Sequence, residues 1–356
     1  MSGHLSPAVA DASGGVLPQD PAAAGAPARR LCGTESPVLN GAARVGHSLR
    51  TLGIRGTAAE IADILSFHFH ERQRPAPPGG RPDGKVPGPC SWLRDSGEWT
   101  VTELTATQRE LAAFMARMRF PRFYYKGGRR VWYALWHQIG FALCDLTPAS
   151  IVVDAGAGMG IWGRMARRQY GCTTWDLDCR YPPGLHGRRI GAAATAVGLP
   201  ANSVSHVVCF CAFNCFEGQV DTAFLWEAFR LLLPGGKLVI VPLCVCDEHV
   251  NLFDPSLCAG SDLFDPGAHR TPWPGWGNRF GRWYSREAFQ QRLIAAGPAF
   301  ERTIVRVDHD MCLEGLAPVY YAALFVKPME SPAPEPQEAF APPPSTVAWR
   351  LSQRQG

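Results

Sequence analysis

No stretch of this sequence is both long enough and apolar enough to span a bilayer. The longest apolar runs, 207–213 and 238–246, fall well short of the ~20 residues a membrane helix needs. No charged-then-apolar leader opens the chain, so the expectation is a soluble, cytoplasmic protein with reduced thiols. Nor is there a long basic run. The net charge of +4 is spread over 356 residues, which argues against a dedicated nucleic-acid surface. No internal repeat is present. Large apolar side chains are scarce in 1–45 and again in 329–356, where Pro332, Pro334, Pro336, Pro342, Pro343 and Pro344 cluster. Such segments bury too little surface to offset their ordering entropy, and both are expected to be disordered tails. Twelve cysteines are present, yet only Cys244-x-Cys246-x-x-His249 has any look of a metal pair, and no second pair has zinc-finger spacing. No metal is therefore expected, and Cys209, Cys211 and Cys215 read as small buried hydrophobes.

Between the tails, apolar residues make up an ordinary globular share, 46% of the chain against 19% charged. Residues 46–146 carry helical spacing at 58–69, 105–118 and 130–146, and are expected to form a helical extension before the main domain. A Pro/Gly-rich loop, 75–89, interrupts them. From 147 to 328 short apolar runs alternate with helical segments. The runs are 151–153, 172–175, 206–210, 237–242, 304–307 and 319–326. That alternation predicts an α/β domain, a doubly wound and mostly parallel sheet with helices on both faces.

The chemistry begins where the first of these strands turns into a helix, at Asp154-Ala155-Gly156-Ala157-Gly158-Met159-Gly160. The glycines allow unusual dihedrals and let a ligand lie against the backbone. The following helix, 160–169, aims its free amides at that ligand. A dinucleotide fingerprint would need glycine at 161, where Ile161 stands, and no Lys-Ser/Thr follows to make a phosphate loop. The leading carboxylate of Asp154 would repel a pyrophosphate and attract an ammonium group. Asp176, 22 residues beyond Asp154 on the second strand, is the candidate to hold ribose hydroxyls, with Asp178 taken as a loop acid or helix cap.

These residues resemble the class I S-adenosylmethionine-dependent methyltransferases, in particular their type 11 branch, over roughly 151–327. Asp154 to Gly160 is similar to that class's first motif, and Trp175-Asp176-Leu177 to its ribose-binding acid. Ala196-Val197-Gly198-Leu199-Pro200 is similar to the adenine-framing segment, and Pro234-Gly235-Gly236 to the turn before strand five. Departures are Thr195, where the family often has Asp, and Asn214, where many members have His. The resemblance implies a Rossmann-like fold, S-adenosylmethionine as cofactor and methyl transfer to an acceptor. It implies cofactor contacts from Asp154, Ala155, Gly156, Gly158, Gly160, Asp176, Leu177, Thr195, Ala196 and Asn214, and from Tyr125 in the segment before the domain.

The acceptor is expected to be a small molecule. A protein or RNA acceptor, or an inactive binding protein of the same fold, are the alternatives. Tyr124, Arg129, Trp273 and Trp276 are candidate acceptor contacts, the two tryptophans lying in a long insertion, 244–282, placed to cover the crevice. That insertion reads equally as an aromatic acceptor pocket or as a lid packed on its own aromatics. His249 and Asn214 are the candidates for a base or an orienting group at the acceptor. Composition and motifs say nothing of oligomeric state.

Overall fold

A computed structural model describes residues 88–121, 128–258, 263–311 and 320–330, which all belong to the second of the two compact units of the chain. Residues 1–45 and 331–356 of the tails, the expected helix at 58–69 and both Tyr124 and Tyr125 lie outside the described residues, and of Arg129 only the backbone is described.

The strand β2 (Ile151–Ala155) is nearly all buried, as a strand covered on both faces must be. It pairs in parallel with β3 (Thr173–Leu177) on one side and β6 (Val204–Phe210) on the other. β3 continues to β5 (Arg189–Gly191), which the short β4 (Gly184–His186) closes antiparallel. On the other side β6 pairs in parallel with β7 (Leu232–Val241). Beyond it lie the antiparallel β12 (Tyr321–Val326), then β11 (Glu301–His309) and β1 (Thr100–Ala106). The nine strands follow the order β1-β11-β12-β7-β6-β2-β3-β5-β4. The chain leaves β2 toward β3 and β5, then crosses back to β6 and β7. The switch of direction falls between β2 and β6, where doubly wound sheets open a crevice at the carboxyl ends of their strands.

Two apolar layers sandwich this sheet. On one face Val152 and Val208 join α1 (Gln108–Arg117), α2 (Gly128–Cys144) and α3 (Ile161–Tyr170). On the other, Val153, Ala155 and Val207 join α4 (Val220–Leu231) and the helix α5 (Arg286–Phe289) with its π-helical continuation Gln290–Ala295. The strand period of two sends Val152 and Val153 to opposite layers. Among the described residues no helix is long and apolar enough to cross a membrane.

The region expected to be wholly helical contains a strand. Residues 100–106 alternate threonine with Val101 and Leu104 and pair in parallel with β11 at the sheet edge. Its few apolar residues divide between the two layers, Val101 to one and Leu104 and Ala106 to the other, so it is too polar to show as an apolar run. The helix starts at Gln108 because Thr107 and Glu110 form a capping box there.

The insertion after β7 is a sheet of its own. β8 (Val250–Phe253) lies between β9 (His269–Pro272), parallel to it, and β10 (Gly281–Trp283), antiparallel.

Candidate cofactor crevice and its flap

The turn after β2 takes three left-handed residues, Gly156, Gly158 and Gly160, with φ of 74°, 59° and 64°. A β-carbon is disfavoured in that region. At Gly156 it would also collide with the Ala212 methyl at the tip of β6, so the two strand tips nest only because residue 156 is glycine. Gly156 and Ala157 donate their amides to the Leu177 carbonyl at 2.9 and 3.0 Å, which fastens the turn to the end of β3. Ala155 and the Leu177 side chain lie in the core.

Asp154 and Asp176 are register partners across β2 and β3 and share a face. Both carboxylates point beneath α3. A β-carbon at Gly160 or Gly163 would collide with a carboxylate oxygen of Asp176, so the first turn of α3 sits directly on that group. Asp176 Oδ1 is buried without a hydrogen-bond partner and lies 3.6 Å from Arg167 Nη1, too far for a hydrogen bond. Burial pushes the Asp176 carboxyl above its usual range, and burial followed by the nearby Asp176 and Asp178 pushes Asp154 well above it. Asp176, the sequence candidate for the ribose, thus lies buried beneath the helix. Register explains why: Asp176 is level with Asp154, two residues short of the glycine turn. The acid level with Gly156 is residue 178.

Asp178 stands one residue past the end of β3 and is buried. Its Oδ2 accepts the Gly158 amide at 2.9 Å, so it touches the glycine turn directly. Burial alone would raise its carboxyl; the fork of Arg180 overrides this and holds it below the usual range. Tyr181 donates its hydroxyl to the Gly158 carbonyl at 2.7 Å. Sequence reading assigned Asp178 to a loop or cap. Counting two residues along the strand from the partner of Asp154 would have found it.

Other predicted residues fall as follows. Thr195 and Ala196 lie on the connection leaving the C-terminal end of β5, Thr195 half-buried and Ala196 exposed. Glu227 of α4 anchors that connection by accepting the Val197 amide at 2.8 Å. Asn214 is buried in the 3-10 turn Phe213–Cys215 just past β6, and its carbonyl oxygen faces the Cys215 thiol at 3.7 Å. Burial pushes the Cys215 thiol up to about 12 and those of Cys209, Cys211 and Cys244 well above their usual value. These groups are therefore neutral near pH 7, in line with a packing role. Among the described residues no three His, Cys, Asp or Glu side chains are placed to hold a metal.

His249 is not free to act as a base. Its Nδ1 meets the Trp283 carbonyl at 3.0 Å and its Nε2 the Asp265 carboxylate at 3.2 Å, so both ring nitrogens face oxygen acceptors. Trp273 and Trp276 stack at 5.7 Å with their planes 7° apart, and pack against Cys244, Cys246, Val250, Leu252 and Trp283. Of the two readings of the insertion, this is the one in which it packs on its own aromatics.

What fixes the flap is a buried charge network. Arg282 on β10 pairs with Asp265 at 2.6 Å and donates to the carbonyls of Phe216 and Gly218 at 2.8 and 2.9 Å. Asp221 on α4 accepts the Tyr284 hydroxyl at 2.7 Å and Arg292 Nη2 at 2.6 Å. Asn251 also donates to Asp265 at 3.0 Å. The pairs join positions 14 to 71 residues apart in the chain, too far for a local sequence pattern to show them.

No protein-family model and no curated protein sequence matches the chain. Among solved structures it is similar to the 1,6-didemethyltoxoflavin-N1-methyltransferase of Burkholderia thailandensis, solved with bound 1,6-didemethyltoxoflavin and S-adenosylhomocysteine. Identity is 20%, coverage 63% of this chain and 91% of that one, and the TM-score 0.36. It is also similar to a putative methyltransferase of Haloferax volcanii in complex with the Trm112 activator (19% identity, 62% and 98% coverage, TM-score 0.36). The chain spans about half the length of others, such as 49% of a putative sarcosine dimethylglycine methyltransferase from Galdieria sulphuraria, at 18% identity, 34% coverage of this chain and a TM-score of 0.26. At TM-scores below 0.5 these likenesses add nothing to what the strand order establishes. With β12 antiparallel between β7 and β11, and a three-glycine turn at the switch between β2 and β6, the chain has the Rossmann-like fold of the class I S-adenosylmethionine-dependent methyltransferases.

Proposed function

We propose that the chain is an S-adenosylmethionine-dependent methyltransferase acting on a small-molecule acceptor. The observation that carries this reading is Asp178: a buried acid at the tip of β3, bonded to the amide of the glycine turn at the switch point. The site fits a nucleoside carrying an amino acid. The left-handed Gly156, Gly158 and Gly160 keep their own positions in the turn free of side chains. Asp178 supplies a carboxylate, which suits hydroxyls and opposes a pyrophosphate. Gly156, Gly158 and Gly160 would lie against the amino-acid part, Asp178 would hold the ribose diol, and Thr195, Ala196 and Asn214 would frame the adenine.

When bound, this cofactor supplies a methyl group already activated on a sulfonium. The protein then has to bind, orient and exclude water. Asn214, at the tip of β6, keeps its side-chain amide nitrogen for orientation while its oxygen faces Cys215. Just past the end of β6, the half-buried Cys211, Ala212 and Cys215 leave an uncharged surface once the thiols are neutral. Such a surface suits a compact, weakly polar acceptor more than a phosphate-bearing polymer. The buried pairs of Arg282 fasten the flap to the carbonyls of Phe216 and Gly218 and to Asp221 of α4.

Calorimetry with S-adenosylhomocysteine tests the cofactor assignment. Asp178→Asn should lose at least about tenfold in affinity, the worth of one charge-assisted hydrogen bond or more. Asp176→Asn should stay within about twofold. Equal losses, or none, would return the ribose to another residue. Labelled-cofactor assays against metabolite pools would then identify the acceptor.

A further inference from the structure

The carboxylate of Asp178 is fully subscribed. A carboxylate offers about four lone-pair positions. Oδ1 accepts the main-chain amide and the Nε of Arg180, both at 2.9 Å. Oδ2 accepts the Gly158 amide and Arg180 Nη2, again at 2.9 Å. Two of these four donors are main-chain amides, held in place by the turns that carry them. The other two belong to one guanidinium fork, on a side chain about half exposed at 49%.

The same fork lies over the glycine turn. A β-carbon added to Gly158 would stand 3.1 Å from Arg180 Nη2, so the guanidinium covers the face of the turn that a ligand must approach. A vicinal diol held by Asp178 needs two acceptor positions on that carboxylate. Only the positions taken by the fork can be vacated without unravelling the turn.

We infer that Arg180 is a displaceable counter-ligand in the cofactor crevice: the ribose diol binds Asp178 by exchange with the Arg180 guanidinium, and Arg180 thereby sets cofactor affinity by competition. This rests on the reading of the crevice as an S-adenosylmethionine site. The exchange moves no proton and makes no covalent bond. Two N–H···O contacts give way to two O–H···O contacts on the same carboxylate, and the guanidinium goes to solvent. In its absence the crevice keeps Asp178 neutralised, which removes the cost of a bare buried carboxylate. The arrangement resembles a plug that the ligand must lift.

The consequence is opposite in sign to that of an ordinary binding residue. Removing the fork should tighten binding. With S-adenosylhomocysteine in calorimetry, Arg180→Gln should bind roughly three- to tenfold more tightly than wild type, since a half-exposed fork holds its partner modestly. Arg180→Lys, which keeps the charge and loses the bidentate geometry, should fall between. Added salt weakens a half-exposed ion pair. Raising it from about 0.05 to 0.5 M should therefore tighten wild-type binding relative to Arg180→Gln, a readout that needs no acceptor and no turnover. Thermal melts check that each variant is folded, and the lysine variant serves if the glutamine one is not. Weaker binding by Arg180→Gln would make the arginine a cofactor ligand and overturn the inference. Unchanged affinity would show that Asp178 accepts the diol beside the fork, and would overturn it equally. The two readings fail separately. If wild type binds and Asp178→Asn does not, the cofactor site stands whatever Arg180 does. If folded wild type binds no S-adenosylhomocysteine, it is the cofactor site that falls.

Discussion

Arg282 of β10 and Asp221 of α4, both with no solvent exposure, meet at 3.0 Å and join the flap to the main sheet's helical layer. Around them Asp265, Arg292 and Tyr284 complete a closed set of partners. Ions buried this way are weak evidence of net stability, but removing one partner strands the others.

Arg282→Ala should therefore cost about 3–5 kcal/mol, the usual penalty for breaking a buried pair. Chemical denaturation measures it. A loss below about 1 kcal/mol would mean that water reaches the network and that the flap is not fixed by it.

The acids here divide by sign, and their pH dependence should divide with them. Burial pushes Asp265 upward, but Arg282 and His249 hold it far below its usual range, and Arg180 holds Asp178 below its own. A depressed carboxyl adds stability that is fully present above its unfolded value, near 4, and lost as pH falls through the folded one. The destabilisation caused by Asp265→Asn should therefore be full at pH 7 and shrink as pH drops below about 4. Asp176 is raised by burial, so its contribution runs the other way and is lost as pH rises. Asp176→Asn should stabilise at pH 8, on the order of 1 kcal/mol, and the gain should fade toward pH 4. Denaturation midpoints across that range test both, and parallel behaviour of the two variants would contradict the assignment.

Gly163 is the second glycine beneath which Asp176 fits, and a β-carbon there would collide with Asp176 Oδ1 and press on Thr174. Gly163→Ala should destabilise by about 1–3 kcal/mol through overpacking, despite the better helix propensity of alanine. Combined with Asp176→Ala, most of that cost should vanish. A double-mutant cycle measures the coupling, and additive effects would show that the two residues do not share the space.

Trp273 and Trp276 stack on each other and are half-buried over Trp283. Trp276→Ala should cost about 2 kcal/mol, less than a fully buried tryptophan but including the stacking contribution. S-adenosylhomocysteine affinity should stay within a factor of a few, because the glycine turn and Asp178 lie on other strands. Loss of cofactor binding in a folded variant would place the flap in the cofactor site.

Much of the architecture was legible because it is written in adjacent residues. The strand runs at 151–153 and 206–210, the glycine spacing after Asp154 and the helix over 160–169 reappear with boundaries shifted by one or two residues. Strand β1 was missed because an edge strand shows little apolar signal, and its threonines are as compatible with a helix N-cap as with a sheet. It is Asp178, and not Asp176, that meets the glycine turn, since a count of residues does not say where a strand ends. His249 looked like a base only while its neighbours were unknown.

The sequence by itself determined the central strands, the glycine turn after Asp154 and the helix that follows it, because each depends on contacts within a few residues. The tertiary structure decided which acid stands level with the turn, that Arg180 occupies it, and that Arg282, Asp221 and Asp265 lock the flap. Those outcomes turn on strand register and on partners up to 61 residues apart in the chain, Asp221 to Arg282. No local pattern encodes such pairings, since they are chosen only when the layers close and a buried charge must find its counterpart.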